Sequence, residues 1–216
     1  MIKTIKSGQR SGIVKVPSSK SQAHRALIIA ALAEDETNII CDGISKDIEA
    51  TVSCLNALGA RINIHGKVIS VFPLRKIPKG VCRLECGESG STLRFLLPLV
   101  GALGANAEFF PKGRLINRPL APLDGELIRH GMKIEKTDET ITCTGRLSGG
   151  EYRLAGNVSS QYISGLLMAL PIVGEDSTLT VTGEAQSENY IKMTEDAMKI
   201  AGLRYDKTGW SYHIPG

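Results

Sequence analysis

Three short stretches, spaced almost evenly along the chain, combine hydroxyl side chains with cations or glycines. The first, PSSKSQAHR, supplies Lys20, Ser21 and Arg25. The second, CGESGSTLR, supplies Gly87, Gly90, Ser91, Thr92 and Arg94, and the third, GNVSSQ, supplies Ser159, Ser160 and Gln161. Ser21, Ser91 and Ser160 fall at intervals of 70 and 69 residues. Each stretch runs into an apolar segment, so each reads as the start of a helix. Ser19 and Gln22 sit three apart, the spacing of a capping box, which places the first helix start near Ser19. Unpaired backbone N–H groups and the helix dipole make such a start attractive to anions. Lysine and arginine oppose the dipole there, so a negative group should compensate them. One Gly-Ser-Thr start is more often a cap than a ligand site. Three in register, two of them with arginine, point to a shared anion pocket.

Further polar residues follow the next strand-like runs. GRLINRP brings Arg114 and Arg118, GEAQSENY brings Ser187 and Tyr190, and DGISKD brings the acidic Asp42 and Asp47. Arginine grips carboxylate or phosphate with two parallel hydrogen bonds, and serine donates to phosphate oxygens. A surface salt bridge is an equal reading for Arg114. Asp47 reads more simply as compensation for the dipole of the helix that it opens.

The elements behind these residues repeat. Strand-like runs end at Gly43, Gly113 and Gly183, 70 residues apart, and helix ends turn through Gly59, Gly131 and Gly202 at intervals of 72 and 71. Each unit reads as βαβαββ, three times over, with boundaries near 17–75, 80–146 and 150–216. The fold class is therefore α/β, with three units about a pseudo-threefold axis. The first helix of each unit is apolar nearly all round and should be buried, while the second carries a charged outer face. Buried parallel helices would aim their three starts at one place. Pro119 suits a first helical turn; Pro98 and Pro171 should kink or shorten their helices.

Composition limits the classes of function. The chain has 216 residues, 42% hydrophobic, with a formal net charge of +4. Its cations are scattered, so nucleic acid is not an expected partner and small anions are. No apolar run reaches the length of a membrane span, and no secretory or transit segment is evident, which reads as a soluble, cytoplasmic protein. The five cysteines have no metal-ligand spacing, and Cys82 and Cys86 should pack on one strand face.

Taken in order, PSSKSQAHRALI, ESGSTLR, GRLINRP, SSQYISGLL and SENY resemble the 5-enolpyruvylshikimate-3-phosphate synthases, and the resemblance runs the length of the chain. It implies one domain of the enolpyruvyl transferase fold. It further implies that Lys20, Ser21, Arg25, Ser159, Ser160, Gln161 and Ser187 bind shikimate-3-phosphate. Phosphoenolpyruvate would meet Lys20, Gly90, Arg114 and Gln161. No cofactor or metal is implied. Glyphosate would occupy the phosphoenolpyruvate side, where Gly90 leaves room.

The resemblance carries its own limits. Family members are about twice as long, and the acidic general base and further cations belong to the other half, so no catalytic residue is assigned and this chain alone should be inactive. Residues 1–16 would form a strand belonging to that second domain, here mobile, paired with a neighbour or folded back. Phe95 stands where some members have proline, which should alter packing without touching ligands. Two other readings remain: a non-catalytic anion-binding module, and the related UDP-N-acetylglucosamine enolpyruvyl transferase. The latter's Lys-Asn and loop cysteine are replaced here by Lys20-Ser21 and Arg114.

Overall fold

The computed structural model describes residue 4, residues 7–9 and residues 11–216. Two of the three units have the expected βαβαββ order. The second contains β4 (Val81–Gly87), α3 (Gly90–Leu103), β5 (Asn106–Pro111), α4 (Leu123–Arg129), β6 (Met132–Lys136) and β7 (Ile141–Gly145). The third contains β8 (Gly150–Ala155), α5 (Ser160–Ala169), β9 (Ser177–Thr182), α6 (Glu188–Ile200), β10 (Asp206–Thr208) and β11 (Ser211–Ile214). Their sheets share one order, β4-β5-β7-β6 and β8-β9-β11-β10, with a single parallel pair at one edge.

The first unit differs. It holds α1 (Lys20–Leu32), β1 (Thr37–Ile40), α2 (Lys46–Ala57), β2 (Arg61–His65) and β3 (Val68–Phe72), in a three-stranded antiparallel sheet of order β1-β3-β2. Residues 11–16 precede α1 as β4 and β8 precede their helices, yet they form no strand, and Ile13, Val14 and Val16 are exposed. The remainder of the segment expected to form an orphan strand lies partly outside the described residues. One contact of a parallel pair survives at its end, Ser18 N–H donating to the Asp42 carbonyl at 3.0 Å. The other edge of β1 carries no partner strand among the described residues.

Helix packing follows the repeat. α1 lies between α2 and α6, α3 between α2 and α5, and α5 between α3 and α6, while α4 sits on β6 and β8. α3 and α5 are buried almost throughout. α1 is not: Ala26, Ile29 and Ala33 are only half-buried and line an apolar groove with Ile39, Ala197 and Ile200. The vacant edge of β1 explains it, because no parallel strand covers that side. α2 and α6 bury one stripe each, through Ile48, Val52 and Leu55 and through Ile191, Thr194 and Met198. No helix among the described residues is long and apolar enough to cross a membrane.

Two glycines of the repeat frame are held by close backbone contact, whereas a Cβ on Gly202 would meet nothing within 4 Å. Gly59 and Gly131 have φ of +112° and +107°, and a Cβ there would lie 2.5 Å from the Lys76 carbonyl oxygen and 2.6 Å from that of Arg146. Any side chain there would collide with the backbone that leaves the last strand of the unit, just past β3 and β7. Prolines shape the helices unequally. α4 begins only at Leu123, not near Pro119, because Pro119 and Pro122 disfavour helical backbone in the residues before them. α5 stops at Ala169 and tightens into a 3₁₀ turn, Leu170–Ile172, around Pro171. α3 instead runs through Pro98 to Leu103. Proline has no N–H, so the Arg94 carbonyl one turn back receives no helical bond from that position. Gly165 of α5 packs onto that turn, where a Cβ would lie 2.7 Å from the Arg94 oxygen.

Candidate functional site

α1, α3 and α5 each start on a serine whose hydroxyl accepts a backbone N–H of the first turn: Ser19 from Gln22, Ser89 from Thr92 and Ser159 from Gln161. None of these helices has an acidic residue in its first turn, whereas α2, α4 and α6 all do. The inner helices thus supply no counter-charge of their own at their positive ends. Ser21, Ser91 and Ser160, the residues in register along the sequence, line one cavity of about 230 Å³. The three starts therefore meet.

Arg25, Ser159, Gln161 and Ser187 line the same cavity. Arg25 is 2% exposed, and no carboxylate pairs with it among the described residues. Its guanidinium donates instead to neutral oxygens: Nε to Thr194 Oγ1 at 2.6 Å, Nη1 to the Ser21 carbonyl at 2.7 Å, and Nη2 to Ser164 Oγ at 3.1 Å and the Tyr190 carbonyl at 2.9 Å. Burial pulls its pKa down to about 10, which leaves it cationic at neutral pH. A buried, charged guanidinium without a counter-ion is costly, and an anion in the cavity would relieve the cost.

Ser187 gives a second indication of function. It precedes α6 with φ +58° and ψ +41°, and it is the only non-glycine residue with positive φ among those described. A left-handed serine costs energy, and such outliers gather at ligand sites.

Gln161 ties the second unit to the third, accepting from Arg94 Nη1 at 2.6 Å and donating to Ser91 Oγ at 2.9 Å. Arg94 Nε is buried without a partner. Gly90 stands beside this pair, and a Cβ on it would meet Arg118 Nη1 at 3.3 Å and Arg94 Nη1 at 3.5 Å. Arg94, Arg118 and Gly90 thus form a second basic patch flanking the cavity. Arg114 is exposed on the loop after β5 and does not line the cavity. Lys20 does not line the cavity either; it precedes the lining Ser21 and is ion-paired to Asp47 at 2.5 Å. Asp47 is also in the first turn of α2, so it serves the dipole as well. Asp42 is held by Lys67 and Lys15.

Phe95, expected to alter packing without touching ligands, is one of the residues lining the cavity, and its ring centroid lies 5.0 Å from the Arg25 guanidinium carbon, a cation–π distance. Val158 and Tyr190 line the cavity too. Thr194 and Ser164, behind Arg25, do not stand out in the sequence: Thr194 is a lone hydroxyl on the apolar stripe of α6, and Ser164 lies one turn past Ser160 within the apolar part of α5.

The neighbouring polar groups are structural. His24 is fully buried, its Nδ1 2.7 Å from Thr51 Oγ1, which in turn lies 2.7 Å from Thr92 Oγ1; its Nε2 has no partner. Burial holds its pKa at about 4, so the ring is neutral. The five cysteines are free and buried, with Cys82 and Cys86 on the inner face of β4, and burial pushes the thiols of Cys86 and Cys143 up to about 12. Such thiols are inert.

A family model described as EPSP synthase (3-phosphoshikimate 1-carboxyvinyltransferase) matches residues 5–215. A protein of Clostridium kluyveri named 3-phosphoshikimate 1-carboxyvinyltransferase is 37% identical over 206 residues, covering 94% of this chain and 48% of the relative. One of Clostridium botulinum strain Alaska E43 with the same name is 38% identical over 205 residues, 91% of this chain and 47% of the relative. The chain thus spans about half the length of the curated relatives it matches. A solved EPSP synthase of Acinetobacter baumannii superposes with a TM-score of 0.79 over 95% of this chain and 47% of its own, at 23% identity, which shows a shared fold.

Proposed function

Since the chain belongs to the EPSP synthase family, we propose that its serine-lined cavity is the shikimate-3-phosphate site of an enolpyruvyl transferase. Ser159, Ser160 and Ser187 would hold the phosphate, with Ser21 and Gln161 on the ring hydroxyls and Arg25 on the carboxylate. Phosphoenolpyruvate, or glyphosate in its place, would lie on the neighbouring side against Gly90, Lys20, Gln161 and the Arg94–Arg118 patch, with Arg114 reaching in from its loop. The transfer adds the 5-hydroxyl oxygen to the phosphate-bearing enol carbon while the methylene takes a proton. Loss of a methyl proton then restores the double bond as inorganic phosphate leaves. Two polyanions must be brought together for this, so charge neutralisation and positioning are what these residues contribute. No side chain of this chain is assigned the proton transfers, and turnover requires further protein. Cytoplasmic residence belongs to the same reading.

The observation that carries the proposal is the buried, cationic Arg25 without a carboxylate, facing a cavity where three acid-free helix starts converge. Calorimetric titration of this chain with shikimate-3-phosphate should show one saturable site, lost on replacing Arg25 by Met. Equal binding by wild type and Arg25→Met, or none by wild type, overturns it. A steady-state assay of the purified chain with both substrates should show no turnover.

A further inference from the structure

Arg25 has five N–H bonds, and four of them end on this protein. One N–H of Nη1 has no acceptor among the described residues, and Arg25 lines the cavity. The group that sets this orientation comes from far along the chain. Thr194, on α6 and fully buried, accepts Nε–H at 2.6 Å, and its own hydroxyl donates to Ser164 Oγ at 2.7 Å. Ser164, on α5 and also fully buried, accepts from Nη2. Both hydroxyls therefore act as acceptors toward Arg25, joined to each other, and both lie on the side of the guanidinium away from its Ser21 contact.

The repeat makes the arrangement recognisable. Thr51 on α2 stands 143 residues before Thr194, two repeat lengths, and is likewise fully buried. It bonds to His24, the residue next to Arg25 on α1. α1 is thus gripped from both sides by equivalent threonines, one facing the neutral imidazole and one facing the guanidinium.

We infer that Thr194, with Ser164, is a positioning residue that fixes the Arg25 guanidinium so that one N–H and its charge face the ligand. The inference rests on the proposed function only for the identity of that ligand. Without Thr194 the Nε–H is buried and unsatisfied, and the side chain turns to find another acceptor, taking its remaining N–H out of line.

Two measurements on this chain test it. In titrations with shikimate-3-phosphate, Thr194→Val should bind about 10- to 100-fold more weakly, the worth of a hydrogen bond to a charged group, and Thr194→Ser should stay within about threefold of wild type. Val is close to Thr in shape, so a packing role predicts the opposite order. Independently of any ligand, the Arg25 Hε resonance should exchange with water slowly in wild type and Thr194→Ser and at least about tenfold faster in Thr194→Val. Unchanged exchange and affinity in Thr194→Val, or equal losses in both variants, overturn the inference. If Thr194→Val does not fold, Ser164→Ala substitutes for it. Faster Hε exchange and weaker binding support the cradle, and wild-type values for both refute it. Absence of binding by wild type would sink the proposed function instead, leaving the exchange result to judge the cradle.

Discussion

The Lys20 ammonium lies 2.5 Å from Asp47 Oδ2, bridging the first turns of α1 and α2 beside the cavity-lining Ser21. Both partners are partly exposed, at 49% and 30%. The pair therefore contributes little to folding, and it competes with any anion that Lys20 would meet. Asp47→Ala should cost about 0.5–2 kcal/mol of stability, from the lost pair and the lost helix-start charge. It should raise affinity for shikimate-3-phosphate by about two- to fivefold. Urea titration and calorimetry measure the two, and weaker binding would show that Asp47 holds Lys20 in place for the ligand.

Two helical glycines should respond to alanine in opposite directions. Gly125 on α4 has open space where a Cβ would go, so Gly125→Ala should stabilise by about 0.5–1 kcal/mol through helix propensity and a less flexible unfolded chain. Gly165 presses on the Arg94 backbone, and the same gain there is outweighed by an overpacking cost of about 1–3 kcal/mol. Denaturation midpoints of the two variants on either side of wild type are the expected result.

Stability should fall in mild acid because of His24. Its folded pKa of about 4 lies below the ordinary 6.5, owing first to burial. Between those values the unfolded chain holds a proton on this ring that the folded chain does not. The stabilising contribution is therefore complete above pH 6.5 and is lost as pH falls toward 4, by about 3 kcal/mol in total. His24→Asn should flatten that part of the pH profile of the urea midpoint; an unchanged slope would assign the acid sensitivity to other groups.

Gly90→Ala should leave the fold nearly intact, because the nearest atoms to the added methyl are the movable ends of Arg118 and Arg94. A stability change within about 0.5 kcal/mol is expected. Room beside those cations shrinks, so on the proposed function glyphosate should bind this chain, saturated with shikimate-3-phosphate, more weakly in Gly90→Ala while shikimate-3-phosphate affinity holds. Equal glyphosate binding in calorimetry of the two proteins would place that ligand elsewhere.

What the sequence made legible was whatever the repeat wrote three times. The glycines ending strands and helices, and Ser21, Ser91 and Ser160 at the helix starts, announced both the units and their meeting place. Features occurring once were harder to read. Phe95 reads in the sequence only as a change in packing, and its cation–π contact with Arg25 joins residues 70 apart along the chain. Thr194 is a hydroxyl among the apolar residues of its stripe and Ser164 leads into the apolar part of α5, and nothing local tells a cradle from a tolerated polar residue. The first unit also departed from its sisters. A run such as GIVKV has strand propensity, but it forms no ladder in this structure.

That missing ladder sets where the molecule opens. β5 and β9 have a neighbour on either side, whereas among the described residues β1 is bonded only to β3. The outer side of β1 has no ladder partner among those residues, and Ile40 is 80% exposed. Deuterium should enter Thr37–Ile40 well before Asn106–Pro111 or Ser177–Thr182, making the first unit the site of local unfolding and the point from which proteolysis and edge-to-edge self-association begin.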